Sequence, residues 1–271
     1  MNNMTKVLLL TGAAGGIGRA TAERFARAGV ALALVDIDAE GLQGTAQRVS
    51  AYTADYIILP GDLQDMQFLE AVVAACISRW GRIDVLVNNA AWRSVETLNT
   101  ISLENWEKTL RVNITAPAFL AKITAGMLID RGLSCVIINI SSVMSELAGG
   151  YAPAYTVCKG ALESLTYELA VLYGPRGFRA VAVRPGNVAT SLSDDYISSE
   201  QQNISNEIVA EINDRTPLNR TAAPEEIANA VFWLSSPEAS FITGTTITVD
   251  GGLSRNFNPY MIKKRLKTGG F

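Results

Sequence analysis

Thr11-Gly12-Ala13-Ala14-Gly15-Gly16-Ile17-Gly18 follows the apolar run Val7-Leu8-Leu9-Leu10 and opens a segment of helical spacing. In that segment Ile17, Ala20, Thr21, Phe25 and Ala28 fall on one stripe before Gly29 stops it. The order is strand, glycine turn, helix. Gly12 permits a tight turn, Gly16 lets the backbone approach a pyrophosphate, and Gly18 allows the helix to pack closely on the strand. The helix start adds free N–H groups and a partial positive charge, so this stretch predicts a dinucleotide site.

Outward from the loop, the alternation continues. Residues 6–10, 31–35, 56–59, 83–87, 135–140, 179–183 and 245–249 are short runs rich in Val, Ile and Leu. They show little polar alternation, as expected of strands covered on both faces. Residues 65–79, 103–129, 154–172 and 224–234 have helical spacing. No Pro/Gly/Ser-rich linker divides the chain. The expectation is an α/β fold: one Rossmann-type, doubly wound parallel sheet of about seven strands with helices on both faces. Residues 1–271 then form a single domain, with a flexible or subunit-contacting tail from about 255. Residues 190–220 turn polar and acidic after a strand's carboxyl end, where a loop-and-helix lid is expected.

Composition narrows the chemistry. The 271 residues contain no histidine, which removes His-dependent triads and His-ligated metal centres. Cys76, Cys135 and Cys158 are far apart, so no metal site is expected, and a sparse odd set suits a reducing compartment. Net charge is −3, which disfavours nucleic acid as a partner. From Arg255 onward there are five Lys/Arg and no acids, against 18 basic and 26 acidic residues before it. The Val7–Leu10 run is too short for a signal sequence, and no membrane span is expected. The expected location is cytoplasmic.

Several side chains stand out. Asp36 ends the second strand, about twenty residues after the glycines, where a carboxylate accepts hydrogen bonds from both hydroxyls of an adenosine ribose. It would repel a 2′-phosphate by roughly 4 kcal/mol per unit charge at about 4 Å and an effective dielectric near 20, before screening. NAD is therefore expected over NADP; the alternative role for Asp36 is a helix N-cap. Tyr155 and Lys159 lie i to i+4 on one helix face, where an ammonium lowers a phenol's pKa and makes it a usable acid/base. Tyr260 and Lys264 repeat the spacing in the tail. Ser141-Ser142 ends a strand and offers a hydroxyl to a substrate oxygen, and only one of two adjacent strand residues faces the site. Asn113, a poor helix former inside a helical segment, is either a surface residue or a hydrogen-bonding one.

Together these residues resemble the short-chain dehydrogenase/reductase family over about residues 6–253. Gly12, Gly16, Ile17 and Gly18 match its cofactor loop, and Asp62 with Leu63 its adenine-contacting pair. Asn88-Asn89-Ala90-Ala91 is similar to its NNAG turn, with Ala91 in place of glycine. Asn113, Ser142, Tyr155 and Lys159 match its tetrad, and Pro185-Gly186-Asn187-Val188-Ala189-Thr190 its PG motif.

The resemblance implies cofactor contacts from Asp36, Asn89, Ala90, Tyr155, Lys159, Val188 and Thr190. It also implies reversible hydride transfer between NAD(H) and a secondary alcohol or ketone. Tyr155 is then the acid/base, Lys159 its tuner and ribose ligand, Ser142 the substrate-oxygen donor, and Asn113 the holder of a relay water. A homotetramer or homodimer is implied. The alternatives are a 3-oxoacyl-carrier-protein reductase, which generally uses NADPH, and a non-catalytic NAD-sensing regulator. Polyols, sugars, hydroxy acids and cyclic alcohols remain open as substrates, and the sequence shows no arginine cluster that marks an anionic one.

Overall fold

The computed structural model describes residues 5–198 and 200–266. Seven parallel strands are arranged in the order β3-β2-β1-β4-β5-β6-β7. They are β1 (Val7–Thr11), β2 (Ala31–Asp36), β3 (Tyr56–Pro60), β4 (Val85–Asn88), β5 (Val136–Ile140), β6 (Arg179–Pro185) and β7 (Thr245–Val249). The five inner strands are almost wholly buried, whereas β3 and β7 at the edges are half-buried. Every expected strand is present, with ends shifted by no more than two residues.

The connecting helices are α1 (Gly16–Ala26), α2 (Ala39–Val49), α3 (Met66–Trp80), α4 (Leu103–Leu110), α5 (Ala116–Ile129), α6 (Pro153–Tyr173), α7 (Ser205–Arg215), α8 (Pro224–Leu234) and α9 (Tyr260–Leu266). One face of the sheet carries a core that includes Phe25, Val49, Ile227 and Val231. The other face is packed by Leu69, Val73, Leu120, Leu128 and Leu169. Each fully buried side chain of this size contributes roughly 1.5–3 kcal/mol of hydrophobic stabilisation. The strand order reverses between β1 and β4, and the carboxyl ends on either side of that point open a crevice.

Two helical features depart from the sequence reading. The helix α2 was not expected, because Gly41 and Gly44 blur its pattern, yet Leu42, Ala46 and Val49 still form a buried stripe. Asp38 caps it by accepting from the Gly41 amide at 3.0 Å. The expected helix over 103–129 is broken by a π-turn, Arg111–Thr115. Pro117 has no N–H to offer the carbonyl of Asn113 four residues earlier, so a regular α pattern cannot run through. The whole stretch Leu103–Ile129 is long and apolar enough to cross a membrane, with a mean hydropathy of 1.5 over its best window. In the fold, Ala116, Leu120, Ala121, Ala125 and Leu128 from this stretch are buried in the core against the sheet.

The described part of the basic tail, 255–266, folds back on its own chain. The Asn256 amide donates to the Arg215 carbonyl at 2.6 Å, and the Met261 N–H to Asp214 at 3.0 Å. The repeat pair Tyr260 and Lys264 therefore lies on α9, packed against α7. Phe271, the last aromatic of the tail, lies outside the described residues.

Candidate active site

A cavity of about 910 Å³ occupies the crevice at the strand-order reversal. Gly12, Gly16, Ile17, Asp36, Asn89, Ala90, Ser142, Tyr155, Lys159, Val188 and Thr190 all line it. Gly18 lies just below, where a Cβ would fall 1.8 Å from the Gly12 carbonyl oxygen. A side chain there would drive α1 off β1. Gly12 adopts φ +68, and a Cβ on it would meet the Ala90 backbone at 2.7 Å. Thr11 and Asn89 bind this turn from the side. The Thr11 hydroxyl accepts from the N–H groups of Asn89 and Ala90, and Asn89 Nδ2 donates to the Thr11 and Gly12 carbonyls.

The cradle suits a dinucleotide. At Gly15, the residue before α1, a Cβ would meet nothing within 4 Å, and no side chain caps the helix. Its first N–H groups are thus available to a pyrophosphate. Asp36 accepts from the Ala14 N–H at 2.8 Å and the Asp38 N–H at 3.0 Å, which fixes its carboxylate at the cavity edge. The N-cap role belongs to Asp38 instead. Arg19 is turned toward α2, bonded to Thr45 and to the carbonyls of Ala14 and Gly41.

Tyr155 and Lys159 emerge from the first turns of α6, and Ser142 from the carboxyl end of β5. Lys159 donates to the Ile140 carbonyl at 2.7 Å and lies 5.2 Å from the Tyr155 ring centre. Burial pulls its pKa down to about 8. The expectation that Lys159 lowers the phenol is not met in this geometry. Burial pushes Tyr155 up to about 12, and what opposes the rise is the Arg93 charge and a hydrogen bond with Ser142. A phenol removed from water resists ionisation, and the lysine is itself desolvated.

Ser141 and Ser142 face different ways, as alternation requires. The Ser141 hydroxyl is engaged by Glu163 at 2.7 Å and the Lys159 carbonyl at 3.1 Å. That of Ser142 accepts from the Met144 N–H at 3.2 Å and lies beside the Tyr155 hydroxyl. Asn113 sits in the π-turn, buried, one layer behind the cavity. Its Nδ2 donates to the Trp92 carbonyl at 2.7 Å and the Thr109 carbonyl at 2.9 Å. Its Oδ1 is buried without a partner among the described residues.

Asp62 and Leu63 are not at the cavity wall. Gln64 holds the Asp62 carboxylate through its N–H and side-chain amide, and Leu63 packs into the core. The replacement at Ala91 carries no strain, since Gln201 and Asn219 are the non-glycine positions with positive φ among the described residues.

A nucleotide cradle and a Tyr/Lys helix share one crevice. The match to known proteins is equally broad. Residues 12–254 fit the sequence model described as enoyl-(acyl carrier protein) reductase. The chain belongs to the short-chain dehydrogenase/reductase family. A short-chain dehydrogenase/reductase of Aspergillus oryzae, AstE, is 36% identical over 252 residues, covering 92% of this chain and 95% of its own. The L-rhamnose 1-dehydrogenase (NAD(P)(+)) of Azotobacter vinelandii is 31% identical over 255 residues, covering 93% and 97%. The crystal structure of levodione reductase superimposes with a TM-score of 0.88 at 28% identity, covering 94% of this chain and all of its own.

As a short-chain dehydrogenase/reductase, the chain is an oxidoreductase of a family that uses nicotinamide cofactors. Its outer pocket holds residues that sequence reasoning did not single out. Arg93, Tyr151 and Tyr196 line the cavity beside Tyr155, and the rings of Tyr151 and Tyr196 meet edge-on at 5.5 Å. Arg93 and Tyr196 fall in stretches, 92–95 and 190–220, expected from sequence to form the pocket, but neither is singled out there, and Tyr151 lies just past the expected stretch 143–150. The partners of Arg93 come from about a hundred residues further along the chain.

Proposed function

We propose that this protein is an NAD-dependent dehydrogenase that moves hydride between the cofactor and a secondary alcohol or ketone. The observation that carries the reading is the shared cavity. Ser142, Tyr155 and Lys159 face the same space as the glycine loop and the Asp36 carboxylate. A bound nicotinamide supplies the hydride acceptor or donor. Asp36 receives the ribose hydroxyls and disfavours a 2′-phosphate, since Arg19, the nearby cation, is engaged elsewhere.

At neutral pH the buried Tyr155 phenol is protonated and stands as proton donor to a carbonyl oxygen. In the oxidative direction its phenolate takes the alcohol proton. Ser142 holds the substrate oxygen, and Lys159 binds the nicotinamide ribose and favours the phenolate as charge develops. The unpartnered Oδ1 of Asn113 fits the anchoring of an ordered water that returns protons to Lys159. Val188, Thr190, Asn89 and Ala90 complete the cofactor's berth, while Asp62 and Leu63 stand back from its wall. The exposed apolar side chains Phe119 on α5 and Val157, Tyr167, Val171 and Leu172 on α6 support assembly as a homotetramer or homodimer.

The test is NADH formation, followed by absorbance, across sugars, polyols, hydroxy acids and cyclic alcohols, with NAD and NADP in parallel. Turnover of one class with NAD supports the reading. Turnover with NADP alone overturns the cofactor assignment. Tight NADH binding with no turnover of any alcohol favours a sensor.

A further inference from the structure

Arg93 is an unusual residue for a pocket wall. Its side chain is 4% exposed, yet it carries a full charge. It extends from the loop after β4, next to Trp92, whose carbonyl is held by Asn113. At its other end it donates to the Leu192 carbonyl and to Asp195 Oδ1, both at 2.5 Å, and to the Tyr196 hydroxyl at 3.3 Å. Its guanidinium also stacks 4.8 Å from the Tyr196 ring centre.

These bonds are singular in their reach. Residues 191–198 and 200–204 bond freely to one another and to their neighbours within 187–222. Among the described residues, the polar contacts leaving 191–198 and 200–204 for a more distant part of the chain run to Arg93 and, from Tyr196, to Tyr151. Leu192, Ser193 and Tyr196 from this segment line the same cavity as Tyr155. The wall that a substrate meets is thus fastened to the body of the protein chiefly through Arg93, which bonds it at three points.

We infer that Arg93 is a positioning and specificity-determining residue: it clasps the 191–204 segment over the cavity and sets the shape and charge of the wall that receives the substrate. The inference rests on the dehydrogenase reading only for its kinetic consequence. A guanidinium suits the task because it is planar and offers donors in three directions, so a carbonyl, a carboxylate and a phenol are bonded at once. A lysine would supply the charge and not the fork. Asp195, 40% exposed, cancels the charge of Arg93. The clasp therefore presents a neutral wall, and an uncharged alcohol fits it better than a carboxylate-bearing one.

The experiment compares the wild-type full chain with Arg93→Met, Arg93→Lys and Asp195→Asn by hydrogen exchange read by mass spectrometry. Peptides over 191–198 should exchange about tenfold faster in Arg93→Met and less so in the other two, with peptides of β1 and β5 unchanged. With whichever alcohol the wild type oxidises, KM should rise about tenfold while kcat and the NADH dissociation constant stay within about threefold. Asp195→Asn, which leaves Arg93 uncompensated, should shift the preference from neutral alcohols toward their carboxylate analogues.

Unchanged exchange in both Arg93→Met and Asp195→Asn overturns the clasp, whether or not any alcohol is turned over. Equal losses of kcat and NADH affinity overturn the positioning role. Should Arg93→Met fail to fold, Asp195→Asn, altered at a half-exposed site, decides the matter alone.

Discussion

Glu163 on α6 and Arg184 at the end of β6 form an ion pair in which both side chains are more than nine-tenths buried. Arg184 Nε donates to Glu163 Oε1 at 2.9 Å, and the hydroxyls of Ser141 and Ser145 donate to the same oxygen at 2.7 Å each. Arg184 also reaches Glu146 at 2.6 Å. The pair therefore grips the chain on both sides of Ser142. Its contribution is position, since removing one partner strands the other charge away from water.

Glu163→Ala should destabilise the fold by about 3–5 kcal/mol, measured by urea unfolding at neutral pH. Burial raises the Glu163 pKa, but bonds from Arg184, Ser141 and Ser145 outweigh it and hold the carboxyl below its usual value. That stabilisation is present above the ordinary carboxylate pKa and is lost as pH falls through the lower folded value. The wild type should thus lose more stability than Glu163→Gln between about pH 5 and 3. Parallel curves would place the stabilising charge elsewhere.

Tyr155→Phe removes the hydroxyl that, on the proposed reading, exchanges a proton with the substrate oxygen. Turnover should fall by at least about a thousandfold, with NADH binding, followed by fluorescence, within about twofold of wild type. Residual activity near the wild-type level would assign the proton transfer to another group.

Lys159→Met should separate stability from function. With the folded pKa near 8 and the ordinary lysine value at 10.5, the unfolded chain binds more protons between these limits. Wild-type stability therefore rises with pH across that window, by about 2 kcal/mol between pH 7.5 and 9.5 from this group alone. The variant should lose this increment, and its activity, when unfolding is compared at the two pH values.

Asp36→Ala should weaken NAD binding by about tenfold or more and narrow the gap to NADP, because it deletes both the ribose acceptor and the repelling charge. Titrating both cofactors into the variant checks this. An unchanged NAD/NADP ratio would mean that Asp36 serves only to bind the Ala14 and Asp38 N–H groups.

Much of the fold was legible because it is written in local terms. Apolar runs of strand length, the glycine turn before α1 and the helical stripes each depend on residues close in sequence, and their order requires a parallel sheet with crossovers. The α2 helix escaped because two glycines dilute its pattern, though Asp38 three residues before Gly41 was a usable cap signal. The π-turn escaped too, although Pro117 four residues after Asn113 marks it.

The sequence by itself determined the strand order's general form, the cradle at Gly12–Gly18 and the candidates that line the cavity, because spacing along a strand or helix dictates which way a side chain faces. Tertiary structure alone decided which groups surround them. Arg93 meets Asp195 and Glu163 meets Arg184 only because the sheet brings distant strand ends together. The protonation of Tyr155 and Lys159 was decided there too, since desolvation depends on the whole packed surroundings and not on the four-residue spacing that joins the pair.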